Sequence, residues 1–405
     1  MPGTAVNHKS FDTHSQAART LALLVIVCFT LGACTGPNMA NIQATTSPGP
    51  YRAPFLPTPS IESPPDLSDL IAAAQAEGRL VTMALPNDWC NYGEILRNFK
   101  MEYGIDVQIL SPYASSGDEL DAIRSFRDLE TGDAPDVVDI GHAFGPQAQA
   151  EGLLSPYKVS NWASIPFSLK DPDGYWYGGY YGVLAFEVNT NFVVQPPQDW
   201  ADLLRPEYHQ QVALAGDPRS SSQAILSVYA AGLSSGGTLE NAVPGLEFFS
   251  TLHTRGNLVP IIANVEQVIS GETPIVIRWD YLALGDRDAN PNAQIEIILP
   301  KSGILGGLYV QAISAYAQHP NAARLWMEYL YSDKGQILWL KGYCHPIRFN
   351  DLMARQVIPS NLIGLLPPAE FYNQAVFPTL DQQNAAQLLI STQWDTNVGV
   401  DITRP

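Results

Sequence analysis

From Leu80 onward, short apolar runs alternate with amphipathic stretches of helical period, and this alternation confines the chain to an α/β fold built on parallel strands. Residues 80–84 read as a strand, Tyr92–Tyr103 as a helix with Ile95, Leu96 and Phe99 on one face, and Asp106–Leu110 as the next strand. A capped helix precedes them. Asp66-Leu67-Ser68 opens it, Leu67, Leu70, Ile71 and Ala74 share its apolar face, and Gly78 ends it. A further unit runs through a helix at 117–130, a strand at 137–140 and a helix at 144–151. Parallel strands need such crossovers, which leave the loops at their C-terminal ends to hold a ligand.

A second group of elements follows the strand at 183–188, after Asn189-Thr190-Asn191 and the pair Pro196-Pro197. Val212–Leu214, Ile275–Trp279 and residues 295–299 read as strands, and residues 223–233 and 245–252 as helices. Gly306-Gly307 then precedes a strand at 308–314 that returns to the first group, where residues 321–331 and Asp333–Lys341 form helices. The expected body is therefore two α/β lobes, 66–186 plus 309–405 and 187–308, joined by two crossing strands around a hinged cleft.

Upstream, His8, Lys9 and Arg19 precede an apolar run at 21–31 that is too short to span a bilayer. Leu31-Gly32-Ala33-Cys34 closes that run in the pattern of a lipoprotein signal-peptidase site, so residues 1–33 are expected to be removed and Cys34 to carry lipid. Residues 34–65, crowded with Pro, Ser and Thr, have no apolar period and suit an extended tether. The expected place is the outer face of the cytoplasmic membrane, or the periplasm. Export leaves Cys90 and Cys344 in the body, either as a disulfide or as two buried thiols.

The formal net charge of -18, with charged residues only 15% of the chain, excludes nucleic acid as a natural partner. No stretch after the leader is long and apolar enough to span a membrane, and the body is expected to be monomeric.

Ala76-Glu77-Gly78-Arg79-Leu80-Val81 and Phe99-Lys100-Met101-Glu102-Tyr103-Gly104-Ile105 lead into the first two strands. Together with residues 314–323 (SAYAQHPNAA) and Tyr331-Ser332-Asp333-Lys334-Gly335-Gln336, they resemble the extracellular solute-binding proteins of ABC importers. The resemblance is nearest to the branch for ferric ion, phosphonates, thiamine and polyamines. It implies a type II periplasmic-binding-protein fold that closes on one small solute and presents it to permease subunits, with no cofactor.

Ser115-Ser116-Gly117 and the stretch 216–222, which includes Ser221, each lie between a strand and a helix, where free N–H groups and hydroxyls favour an anionic group. Each serine could equally cap its own helix. Arg278-Trp279-Asp280-Tyr281 also joins a strand to a helix, and a carboxylate between two aromatics suits an amine. In ferric-binding relatives two adjacent tyrosines occupy this region; here Tyr281 alone remains, which weakens iron as cargo. Asp88 and Trp89 complete the expected lining. Of Tyr180 and Tyr181, whose side chains face opposite ways on a strand, Tyr181 is expected to reach the ligand. Asp280 and the helix N-termini together favour a small zwitterion or an amine, of phosphonate or polyamine type.

Catalysis finds little support. Gly232-Leu233-Ser234-Ser235-Gly236 matches a nucleophile-elbow pattern but follows a helix instead of a strand. The histidines lack metal-ligand spacing, and no HExxH or paired CxxC occurs, so no metal site is expected. A secreted enzyme or a surface sensor on the same fold is the alternative.

Overall fold

Gly78 and Gly104 both take the left-handed conformation, at φ 71° and 69°, and each stops a helix, one and two residues respectively before a strand begins. That punctuation sets the rhythm of the computed structural model, which describes residues 67–129, 133–366, 372 and 374–404. The leader, Cys34, the tether and Asp66 lie outside the described residues, as does the expected helix end at Glu130.

The first lobe opens with α1 (Ser68–Glu77), β1 (Arg79–Met83), α2 (Tyr92–Tyr103), β2 (Asp106–Leu110), α3 (Ser116–Leu129), β3 (Val137–Gly141), α4 (Phe144–Ala150) and the short β4 (Leu154–Ser155). Then β5 (Tyr177–Asn189) leads to the second lobe, with β6 (Val212–Leu214), α5 (Ser222–Ser234), α6 (Val243–Thr254), β7 (Leu258–Ile262), α7 (Val265–Ser270), β8 (Ile275–Trp279), α8 (Asp280–Ala289) and β9 (Ile295–Ile298). β10 (Gly306–Ser314), α9 (Pro320–Leu330), α10 (Asp333–Lys341) and β11 (His345–Pro346) return to the first lobe.

The strands follow the order β2-β1-β3-β10-β5-β8-β6-β7, with β4, β9 and β11 attached beside it. β1 is parallel to β2 and β3, and β6 is parallel to β7 and β8. Between these parallel blocks β10 and β5 run antiparallel. β5 belongs to both lobes: residues 177–183 pair with β10, and residues 184–188 pair with β8. One nearly fully buried strand thus forms the first crossing.

The second crossing lies just before β10, where Leu184 N donates to Leu305 O at 3.1 Å. A third, absent from the sequence reading, runs beside it. Val376 bridges Leu305 in parallel, with Val376 N to Ile304 O at 2.8 Å and Gly306 N to Val376 O at 2.9 Å. It delivers the C-terminal helix, Leu380–Asn397, to α5 and α6 of the second lobe, where Trp394 lies 5.8 Å from Phe249 between ring centres. This helix, part of 309–405, packs on second-lobe elements and also reaches the first lobe, with Gln383 Nε2 3.3 Å from His142 Nδ1 and Gln387 Nε2 donating to Gln147 Oε1 at 3.3 Å. Its buried side chains, Gln383, Ala386, Ile390 and Trp394, form too narrow a strip to stand out as apolar periodicity.

The first-lobe core is aromatic. Tyr92, Phe99, Trp326, Tyr329 and Trp339 interlock in edge-to-face, stacked and tilted pairs with centroids 5.1–6.4 Å apart. Truncating Trp326 or Trp339, both fully buried, is expected to cost about 3–5 kcal/mol. Cys90 and Cys344 form a disulfide with Cα atoms 5.5 Å apart, fixing the β1–α2 loop to the segment after α10. Among the described residues no helix is long and apolar enough to cross a membrane.

Candidate ligand-binding site

Six strand ends converge on one cavity of about 510 Å³. The loops after β1 and β2 and the end of β3 supply one wall, and the loops after β6, β7 and β8 supply the other. Parallel strands put their C-terminal ends side by side, so both blocks aim their variable loops at one place.

The first-lobe wall is acidic and aromatic. Asp88 is exposed at the cavity and, among the described residues, makes no hydrogen bond or ion pair. Trp89 donates from Nε1 to Tyr180 Oη at 2.6 Å and packs edge-on to Tyr309, which also lines the cavity, at 5.3 Å. Ser115 caps its own helix: its N–H and hydroxyl donate to Asp118 Oδ2 at 2.8 and 2.9 Å, and Asp118 N returns to Ser115 Oγ. Ser116 Oγ accepts from Gly141 N at 3.1 Å, tying α3 to the end of β3.

Glu119 and Asp139 form the buried floor of this wall, Asp139 N donating to Glu119 Oε2 at 3.0 Å. Asp139 also accepts from Tyr180 Oη and Gln311 Nε2, both at 2.7 Å. Burial pushes the Asp139 carboxyl up to about 7, against the downward pull of those donors. Burial first, and then the Asp139 charge, lift Glu119 well above the usual carboxylate range. Two neighbouring buried acids held this way are stabilised by an incoming cation.

The second-lobe wall is a helix N-terminus with hydroxyls and guanidinium groups. Ser221 is the N-cap of α5 but makes no side-chain bond to it. The first-turn N–H groups of Ser222, Gln223 and Ala224 have no acceptor among the described residues. Arg278 is buried at the cavity edge and held by Glu187, at 2.9 Å, and by Asp286. The walls touch where Gly117 N donates to Ser220 O at 3.3 Å.

Asp88, Trp89, Ser115, Ser116 and Ser221 thus line one cavity, whereas Tyr181, Trp279, Asp280 and Tyr281 do not. Tyr181 turns to the opposite sheet face, stacking on His345 at 4.2 Å with its Oη 3.2 Å from His345 Nε2. Its neighbour Tyr180 faces the cleft side, behind Trp89 and Tyr309. Asp280 is fully buried at the hinge, accepting from Val183 N at 2.9 Å and Tyr372 Oη at 2.8 Å. α8 starts at Asp280 with no intervening loop, so the Trp279, Asp280 and Tyr281 side chains enter the packing between lobes. A Cβ on Gly182 would meet Tyr281 Cδ1 and Asp280 Oδ1 at 2.5 and 2.6 Å, which leaves no room there for a solute. Asp280 and Tyr281 are thus buried and do not line the cavity. Among the described residues no group of three His, Cys, Asp or Glu side chains is placed to hold a metal ion.

Glu119, Asp139, Tyr309, Ile402 and Arg404 line the cavity without having been read from the sequence, and Arg278, read only as part of the strand–helix junction 278–281, lines it too. Two had a signal: Asp139 interrupts the apolar strand Val137–Gly141 and Arg278 the apolar strand Ile275–Trp279, and a charge inside a buried strand needs a partner or a purpose. Ser234, of the discounted elbow pattern, sits in the last turn of α5 with its Oγ 2.6 Å from Ser302 Oγ.

A family model described as bacterial extracellular solute-binding protein matches residues 132–360. The spermidine/putrescine-binding periplasmic protein of Salmonella typhimurium is 24% identical over 356 residues, covering 82% of this chain and 93% of that one. The periplasmic binding protein AfuA of Actinobacillus pleuropneumoniae, with fructose-6-phosphate bound, superposes with a TM-score of 0.64 at 20% identity, covering 80% of this chain and 99% of that one. Iron-bound HitA of Pseudomonas aeruginosa does so with a TM-score of 0.61 at 16% identity, covering 80% and 99%. These two structures hold different ligands, fructose-6-phosphate and iron, so the shared fold leaves the solute to be read from the cavity.

Proposed function

The chain belongs to the bacterial extracellular solute-binding protein family, and on that premise we propose that it is the solute-capturing lipoprotein of an ABC importer, specific for a small amine-bearing solute. The observation that carries the reading is the first-lobe wall, where Asp88 stands unpaired beside Trp89 and Tyr309, above the buried pair Glu119 and Asp139. A carboxylate supplies charge to an ammonium group, and aromatic faces take its alkyl chain or cation. The relative that binds spermidine and putrescine supports the same chemistry. The α5 N-terminus opposite leaves space for an acid on the far end of the solute, so a zwitterion also fits.

Capture closes the cleft by differential affinity for the closed state, which the permease then reads. Lipid on Cys34 and the proline-rich tether would hold the receptor near that permease and raise their effective concentration. Labelling with a palmitate analogue, lost in Cys34→Ser, tests the anchor. A thermal-shift screen with putrescine, spermidine, 4-aminobutyrate, 2-aminoethylphosphonate, thiamine and ferric ion tests the cargo. At a hundred times its Kd a true ligand stabilises the protein by about 2.7 kcal/mol, which is a melting shift of several degrees. A shift with ferric ion alone would overturn the amine reading.

A further inference from the structure

Beyond the C-terminal helix the chain turns at Gly399, at φ 72°, and runs back along the edge of the second lobe. Trp394 Nε1 donates to Val400 O at 2.8 Å. Thr403 bridges Ile261 of β7 in parallel, with Ile262 N to Thr403 O at 2.8 Å and Thr403 N to Pro260 O at 3.2 Å. Arg219, in the β6–α5 loop of the cavity wall, pairs with Asp395 at 3.2 Å and with Asp401 at 2.7 Å. Ile402 is buried and forms part of the cavity lining. Residues 398–403 are thus held to the second lobe by backbone pairing, burial of Ile402 and the Arg219–Asp401 ion pair.

Arg404 then leaves that lobe. Its Nη2 donates to Tyr113 O at 2.9 Å and lies 3.9 Å from Asp118 Oδ2, and both partners belong to the β2–α3 region of the first lobe. Arg404 also lines the cavity. One end of the segment is anchored many times over, while the other holds the opposite lobe through a single side chain that is 60% exposed. An attachment so unequal lets go at Arg404 when the lobes part and re-forms there when they meet.

We infer that residues 398–404 are a clasp across the mouth of the cleft, with Arg404 as the positioning residue that holds the lobes closed and slows solute escape. Opening breaks a charge-assisted hydrogen bond and an exposed ion pair and leaves the second-lobe contacts intact. The device rests on the two-lobed fold and not on the identity of the solute. Hydrolysis and redox chemistry play no part in it.

Two arms on the whole mature chain test this. Without solute, exchange of the Gly117 amide reports closure, because its acceptor, Ser220 O, belongs to the other lobe. Arg404→Ala is expected to speed that exchange roughly three- to tenfold with the β3 amides unchanged, and Arg404→Lys to recover part of the protection. With putrescine as probe, Arg404→Ala should raise the dissociation rate by a similar factor with little change in the association rate. Unchanged Gly117 exchange in Arg404→Ala overturns the clasp, as does an unchanged dissociation rate. If putrescine does not bind the wild type, the polyamine reading fails while the exchange arm still decides the clasp.

Discussion

The two walls of the cleft come from the same topological unit, parallel strand ends feeding helices, yet they carry opposite chemistry. α3 fills its first turn with Asp118 and Glu119, and Ser115 and Asp118 satisfy each other, so its positive end is neutralised within the lobe. α5 places Ser222, Gln223 and Ala224 in its first turn and leaves its N–H groups without acceptors among the described residues. Identical backbone dipoles therefore give an acidic wall and an electropositive one. The side chains of a single helical turn decide which. A solute bridging these walls would meet carboxylates on one side and donors on the other, and the proposed amine would lie against the first lobe.

The comparison breaks most severely if the walls cannot meet. A Cβ on Gly141, at the end of β3, would overlap Ser222 Oγ and Cβ on the opposite wall, so Gly141→Ala is expected to weaken solute binding roughly a hundredfold with the fold intact by circular dichroism. Gly285→Ala, where an added Cβ meets nothing within 4 Å, serves as the control. Next, Asp88→Asn removes the unpaired carboxylate and should weaken an amine roughly ten- to thirtyfold by calorimetry, while leaving the melting temperature of the free protein unchanged.

Acid acts on the same wall. A bound cation favours the ionised carboxylate, so amine affinity is greatest on the alkaline side of 7 and falls as the pH drops through the Asp139 value of about 7. The fall reaches at most roughly tenfold per pH unit, and Asp139→Asn should flatten it. The smallest effect belongs to the other wall: Ser221→Ala should cost an amine about twofold and a zwitterion about fivefold, the difference measuring contact with the acid group.

Much of the first lobe was legible because its punctuation is local. α2 and β2 have the bounds that the sequence implies, since Gly104 stops one and the alternating Val107 and Ile109 mark the other. Legible too was the convergence of loops on one cavity, because parallel strands put their C-terminal ends side by side. Which side chain enters the cleft was harder. Tyr180 and Tyr181 are equivalent in composition, and the choice between them depends on the sheet face that His345 covers, 164 residues away from Tyr181. Asp280 looked like a ligand carboxylate because a strand end meets a helix there, but the connection has no loop, and its carboxylate serves the hinge. β7 escaped notice because Pro260 interrupts it, a substitution that an edge strand tolerates. The role of Arg404 depends on three crossings and had no local signal at all.

The most direct test of an amine-binding cleft is a calorimetric titration of the mature protein with putrescine, 4-aminobutyrate and butyrate. The first two carry an amine and are expected to bind, with both affinities reduced in Asp88→Asn, while butyrate gives no heat of binding. Butyrate binding in the absence of any response to the amines would contradict the account.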